Sequence, residues 1–184
     1  MSTNIQNNNA TSNTHSTKIV IKSIDDLDPY VQIQNNQFKL ELPTNIIVPV
    51  AILKNAQIYI NEQNNIIDHN HLSINPDTKT ATLMLDGNIK DSDNMLKSKY
   101  HKGVNKIILH WNYARIYVNK STGNLLKAGS IGAITQFLGK LPNAYTKAAA
   151  GALAGVLSII NIKGGFWFDY NYFEPYHYQN FHWQ

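Results

Sequence analysis

Apolar and polar residues alternate with period two over Val31-Gln-Ile33-Gln and again over Phe38-Lys-Leu40-Glu-Leu42, on either side of Asn35-Asn36. That pattern predicts a β-hairpin closed by a two-residue turn. Upstream, Lys18 to Ser23 alternates more weakly, and Asp25, Asp26 and Asp28 crowd before Pro29, as in a short element that ends in a turn. Downstream the period lengthens. Ile46, Val50, Leu53, Ala56, Gln57 and Ile60 recur at three- and four-residue steps, which predicts a helix over 45–65 with Thr44 as its N-cap and Pro49 tolerated near its first turn. Leu72 to Asn75 and Thr78 to Leu85 flank Asn75-Pro76-Asp77, turn chemistry between two β-prone runs, and predict a second hairpin.

Periodicity is weak over residues 86–103, where Asp86-Gly87-Asn88, Asp91-Ser92-Asp93-Asn94 and Gly103 give linker composition. A β-branched and aromatic run from Val104 to Val118 follows and reads as one long strand, or as two joined at Asn112. Ser121-Thr122 then caps a helix carried by Leu125, Leu126, Ile131, Ile134, Phe137, Leu138 and Leu141 and broken by Pro142; a second helix, 144–162, is stopped by Gly164-Gly165. Phe166 to Phe173 is an aromatic strand expected to pair with the 105–118 strand, and the aromatic tail Pro175 to Gln184 is expected to pack against the rest. The expected fold is α+β: a polar leader or mature N-terminus over 1–17, a small β-hairpin/helix/β-hairpin unit over 18–100, and a β-α-α-β module over 101–184 with a Gly/Ala-rich helical hairpin.

Composition adds two things to this picture. At 184 residues and 43% hydrophobic, the chain can bury a core. Its 24 asparagines beside a lone arginine, Arg115, look like the coding bias of an AT-rich genome, so much of the Asn excess is expected to carry no function. The absence of cysteine excludes disulfides, thiolate metal sites and a thiol nucleophile. Met1 to Thr17 lacks the apolar stretch of a secretory signal, which leaves two readings: an intracellular protein, or a mature exported chain whose signal has been removed and replaced by Met1. The second, with the chain secreted or in the cell envelope, is the working expectation.

Charge is uneven. Residues 1–100 carry 8 Lys against 10 Asp and Glu, a net of −2, whereas 101–184 carry 8 Lys and Arg against Asp169 and Glu174, a net of +6. A cationic half is drawn toward anionic lipid, wall polymer or nucleic acid, and protonation of the seven His at mildly acidic pH would add to it. Gly151 and Gly155 stand four apart in an Ala/Leu run, the spacing that lets helices approach closely in lipid. Each interior Gly costs about 1 kcal/mol relative to Ala, so the sequence implies compensation by close packing, either in lipid or beneath another element. The apolar run Ala148 to Ile162 has 15 residues, short of the roughly 20 that span a bilayer.

Candidate membrane- or partner-binding residues are therefore Lys127, Lys140, Lys147, Gly151, Gly155 and Leu157 of the hairpin, with Trp111, Tyr113, Trp167 and Trp183 as an interfacial belt or sugar-stacking platform. His69 and His71, in Asp68-His-Asn-His, have metal-ligating chemistry but read better as a solvated loop. Asp169 is expected to satisfy a Trp, Tyr or Lys neighbour. No P-loop, dinucleotide-binding glycine pattern, nucleophile elbow or zinc-protease motif is present, so no enzyme activity, cofactor or metal is expected. The missing RNA-binding signature argues against a nucleic-acid partner.

The run Lys106-Ile-Ile-Leu-His-Trp-Asn-Tyr-Ala-Arg-Ile-Tyr-Val-Asn-Lys-Ser121, the Gly/Ala-rich helices and Gly165-Phe-Trp-Phe-Asp-Tyr-Asn-Tyr-Phe173 together resemble a loosely defined group of small secreted Gram-positive proteins, many of them bacteriocin-like or toxin-like. Asp28-Pro-Tyr-Val-Gln-Ile-Gln-Asn-Asn-Gln-Phe38 looks like the start of their mature chains. The resemblance implies export and an envelope target, and no site residue follows from it. The expected function is a secreted, antimicrobial, membrane-active protein that meets anionic membrane or wall polymer. The alternatives are a non-lytic envelope, glycan or protein binding module and an immunity or inhibitor protein, and oligomerisation is compatible with each.

Overall fold

A computed structural model describes residues 18–85, 101–129, 131–141, 143–171 and 178–184. The expectations for 1–17, for the linker at 86–100, for the helix break at Pro142 and for Tyr172 to His177 lie outside the described residues. The described residues are α+β. Strands β1 (Ile19–Val20), β2 (Val31–Gln34), β3 (Gln37–Leu40) and β4 (Ile46–Ile47) precede helix α1 (Val50–His69). Then come β5 (Ile74–Asn75), β6 (Thr80–Met84), β7 (Lys106–Leu109), β8 (Tyr113–Val118), helices α2 (Lys120–Ala128), α3 (Ile131–Phe137) and α4 (Asn143–Ile159), and strands β9 (Phe166–Asn171) and β10 (Tyr178–Trp183).

The first hairpin forms as its pattern predicts. Asn35 and Asn36 have φ of 52° and 60°, the left-handed pair that a two-residue turn matched to strand twist requires and that Asn tolerates. Asn36 does more than turn the chain: its amide donates to the Leu72 carbonyl and accepts from Ile74 N, both at 2.8 Å, fastening the hairpin to β5. Asn64 of α1 grips β3 in the same way, accepting from Phe38 N at 2.8 Å and donating to Phe38 O at 2.9 Å.

Several helix boundaries differ from the sequence reading. α1 starts after Pro49, not Thr44, because Ile46–Ile47 pairs in parallel with Ile19–Val20 and is already extended. The helix expected to begin at Ser121-Thr122 is capped instead by Asn119, whose side chain accepts from Thr122 N at 2.7 Å. It ends at Gly129, so α2 and α3 replace one expected helix. The Val104 to Val118 run is two strands turned at 110–112, with His110 N donating to Tyr113 O at 2.9 Å.

One six-stranded antiparallel sheet, ordered β10-β9-β8-β7-β6-β5, holds these pieces together, with α2, α3 and α4 inserted between β8 and β9. Strands from either side of the compositional switch share the sheet, since β6 pairs with β7 from Ala81↔Leu109 to Met84↔Lys106. Burial alternates strictly along β8. Ala114, Ile116 and Val118 face one continuous core that runs from Leu27 and Phe38 through Ile66 and Ile107 to Leu153 and Phe168, while Tyr113, Arg115 and Tyr117 share a half-exposed face.

At Gly165 the backbone closes tightly on residues 102 and 103. A Cβ there would sit 2.6 Å from the Lys102 carbonyl oxygen, an overlap that only backbone movement relieves. Above Gly151 and Gly155 there is open space, since a Cβ there would meet nothing within 4 Å beyond the local backbone of its own helix, and both residues face solvent. The close packing that their spacing implied is therefore absent among the described residues. Opposite signs follow for one substitution. Gly165→Ala should destabilise by about 2 kcal/mol, whereas Gly151→Ala and Gly155→Ala should each stabilise by up to about 1 kcal/mol through helix propensity. Urea midpoints at unchanged m-value would measure both, and equal effects at the three sites would contradict this reading of the glycines.

Candidate functional site

Among the described residues, the two ends of the sheet carry opposite charge. At the end where β7 turns into β8, the turn meets Asp25 and Asp28 of the 3₁₀ segment Asp25–Tyr30 and Asp77 of the β5–β6 turn, around a cleft of about 460 Å³. Trp111 Nε1 donates to Asp28 Oδ1 and Asn112 Nδ2 to Asp25 Oδ1, each at 2.9 Å. Lys79 Nζ is engaged by the Val31 and Asp28 carbonyls at 2.8 and 3.2 Å. His110 stacks on Tyr113 with ring centroids 4.0 Å apart. Burial first, and then the Arg115 charge, push its pKa down to about 4.

The other end is basic, and backbone hydrogen bonds assemble it. Lys120 N donates to Lys102 O, Gly165 N to His101 O and Gln184 N to Gly165 O, all at 2.8 Å. The Gln184 side chain stitches the same place, accepting from Val104 N at 2.8 Å and donating to Phe166 O at 2.9 Å and Val118 O at 3.1 Å. Lys102, Lys106, Lys120 and Lys163 are thereby brought to one end, and segments 101–106, 117–124 and 161–167 contain no Asp or Glu. Strand β8, six residues long, separates the ends by roughly 20 Å, about two and a half Debye lengths at physiological salt. An approaching charge therefore senses each end separately.

A row of side chains crosses the half-exposed face near the basic end. Lys106 Nζ lies 4.6 Å from the Tyr117 ring centroid, Tyr117 lies 6.0 Å from Trp167, and Trp167 stacks with His182 at 4.7 Å. The Arg115 guanidinium also covers Trp167, its carbon 3.9 Å from the ring centroid. Neighbours on both flanking strands thus occupy Trp167, which cannot serve as the open sugar-stacking platform its sequence suggested. Beneath the row, Arg115 holds Asp169 through Nε to Oδ1 at 2.6 Å and Nη2 to Oδ2 at 3.0 Å, and Asn180 Nδ2 adds 2.9 Å to Oδ2. The partner of Asp169 is this arginine, not the Trp, Tyr or Lys expected, and its carboxylate bond holds the Arg115 proton more tightly than usual.

The other sequence candidates are dispersed. Trp111 and Leu157 are buried in the core, at 1% and 3% exposure. Trp183 packs edge-on against Phe166 and Phe181, and half-buried Tyr113 lines the acidic cleft. Lys140 Nζ donates to Met84 O at 2.8 Å, and Lys127 Nζ donates to Ile160 O. Lys147, Gly151 and Gly155 do share one exposed stripe of α4. Among the described residues no helix is long and apolar enough to cross a membrane, and no group of three His, Cys, Asp or Glu is placed to hold a metal ion. Sequence reasoning missed the convergence of Lys102, Lys120 and Lys163; the net charge of 101–184 signalled it, but the contacts that gather the lysines are long-range.

No family model, curated protein or solved structure matches this chain.

The depressed His110 has a measurable consequence. Between its ordinary pKa of about 6.5 and its folded value of about 4, the unfolded chain binds a proton that the folded chain refuses, so this group's contribution falls as pH drops through that window and levels off below it. Thermal melts should therefore fall more between pH 7 and pH 5 for the natural chain than for His110→Phe, which keeps a ring against Tyr113. Parallel pH profiles would contradict the assignment.

Proposed function

We propose that this chain is a non-enzymatic, toxin-like secreted protein that docks on anionic bacterial envelope through the basic end of its sheet. The observation that carries this reading is the gathering of Lys102, Lys106, Lys120 and Lys163 at one end, with Asp25, Asp28 and Asp77 at the other. Such a molecule orients in the field of a negative surface, since one end is attracted while the other is repelled.

Each lysine near an anionic surface contributes about 1 kcal/mol. The triple variant Lys102→Gln, Lys120→Gln, Lys163→Gln should therefore lose on the order of 100-fold in affinity for phosphatidylglycerol vesicles or for an anionic wall polymer, and natural-chain binding should weaken as salt rises. Co-sedimentation measures both. Undiminished binding by the folded triple variant would sink the proposal.

A second reading, membrane disturbance through α4, is favoured by the open space over Gly151 and Gly155, into which another helix could settle. It predicts dye release from anionic vesicles that Gly151→Leu with Gly155→Leu abolishes. Release unchanged by the double variant would remove this reading and leave docking alone.

A further inference from the structure

Resting on the envelope-docking reading, we infer that Gln184 is the positioning residue of the basic end: its side chain ties the lysine-bearing segments into one unit that meets several phosphate groups of a repeating anionic array at once. The Gln184 carboxamide reaches three separate pieces of backbone. Its Oε1 accepts from Val104 N at 2.8 Å, while its Nε2 donates to Phe166 O at 2.9 Å, to Val118 O at 3.1 Å and, at longer range, to Val104 O at 3.3 Å. Val104 lies two residues from both Lys102 and Lys106, Val118 two from Lys120, and Phe166 three from Lys163. One side chain thus fixes the backbone beside all four lysines.

The backbone leaves room for it. Gly103 has a φ of 77°, and a Cβ there would stand 2.8 Å from the Gln184 carboxamide. This pattern of bonds requires a group that both accepts and donates. A carboxylate would face the Val118 and Phe166 carbonyls with negative charge, and a thioether would donate to neither. The lysines repel one another, so segments left untied would spread and would have to be ordered again on binding, at a cost in affinity. Held together, they meet neighbouring phosphates as an assembled set, and each phosphate engaged raises the effective concentration of the next. A lone phosphate ion gains nothing from that arrangement.

The test uses the full chain with three probes: vesicles of phosphatidylglycerol and phosphatidylcholine in equal parts, soluble polyphosphate, and inorganic phosphate. Gln184→Met, close to Gln in length but without its hydrogen bonds, should bind whichever array the natural chain binds about tenfold more weakly, between one and two lysines' worth of contact, and with a shallower dependence on salt. Gly103→Ala, which fills the same space from the other side, should do likewise. Asn64→Ala releases the grip of α1 on β3; it should lower the melting temperature and leave binding unchanged, which separates positioning from stability. Hydrogen exchange at the Val104 amide should quicken in Gln184→Met and not in Asn64→Ala. Binding to vesicles identifies lipid headgroups as the source of the phosphates, and binding to polyphosphate identifies a polymer; both fit the inference. Undiminished array binding by folded Gln184→Met, an equal loss in Asn64→Ala, or inorganic phosphate bound as tightly as an array would each overturn it and leave the docking reading standing. Binding of the natural chain to none of the three probes would overturn both.

Discussion

The carbonyl oxygen of Lys102 occupies the space that any side chain on residue 165 would need. From that close approach the rest of the basic end follows. With only hydrogen at residue 165, Gly165 N reaches His101 O, and Lys102 O is left in position to accept from Lys120 N. Three segments distant in sequence are thereby fixed at one end of the sheet, each bringing a lysine. Coulomb repulsion among them opposes the arrangement, and the backbone hydrogen bonds, the Gln184 side-chain bonds and the burial of Phe166 beside them hold it.

The same logic explains why the cationic face is ordered. Arg115 is bound on its polar edge by Asp169 and covers Trp167 with its plane, which exploits the fork geometry and stacking that a lysine lacks. Asp169, almost buried, would be costly alone; Arg115 and Asn180 supply its partners. One ion pair thus sets the position of Trp167, and through Trp167 the row from Lys106 to His182. The half-exposed face is a preassembled surface with charged ends.

Local rules were legible in the sequence wherever both partners lay nearby. The Asn35-Asn36 turn announced itself because its flanking alternation and its tolerance of positive φ agree. The pairing of the two aromatic runs was legible for a similar reason, since both flank the helical segment that connects them. Boundaries set by distant partners were not. Ile46 looks helical until Ile19 is placed beside it, and Gly165 reads as a helix stop until Lys102 arrives. Composition hid another layer: asparagines that resemble coding bias include Asn36, Asn64, Asn105 and Asn119, each making side-chain bonds that join or cap elements. Charge was legible as a difference between halves, but its placement at the two ends of one sheet required Asp25, Asp28 and Asp77 to meet the β7–β8 turn.

The account stands on the orientation that this polarity imposes. Lysine acylation footprinting of the full chain on anionic vesicles, read by mass spectrometry, observes it directly. Protection of Lys102, Lys106, Lys120 and Lys163 is predicted, while Lys22 and Lys79 near the acidic end keep the reactivity they have in solution. Equal protection at both ends, or protection confined to Lys147 on the glycine face of α4, would contradict it.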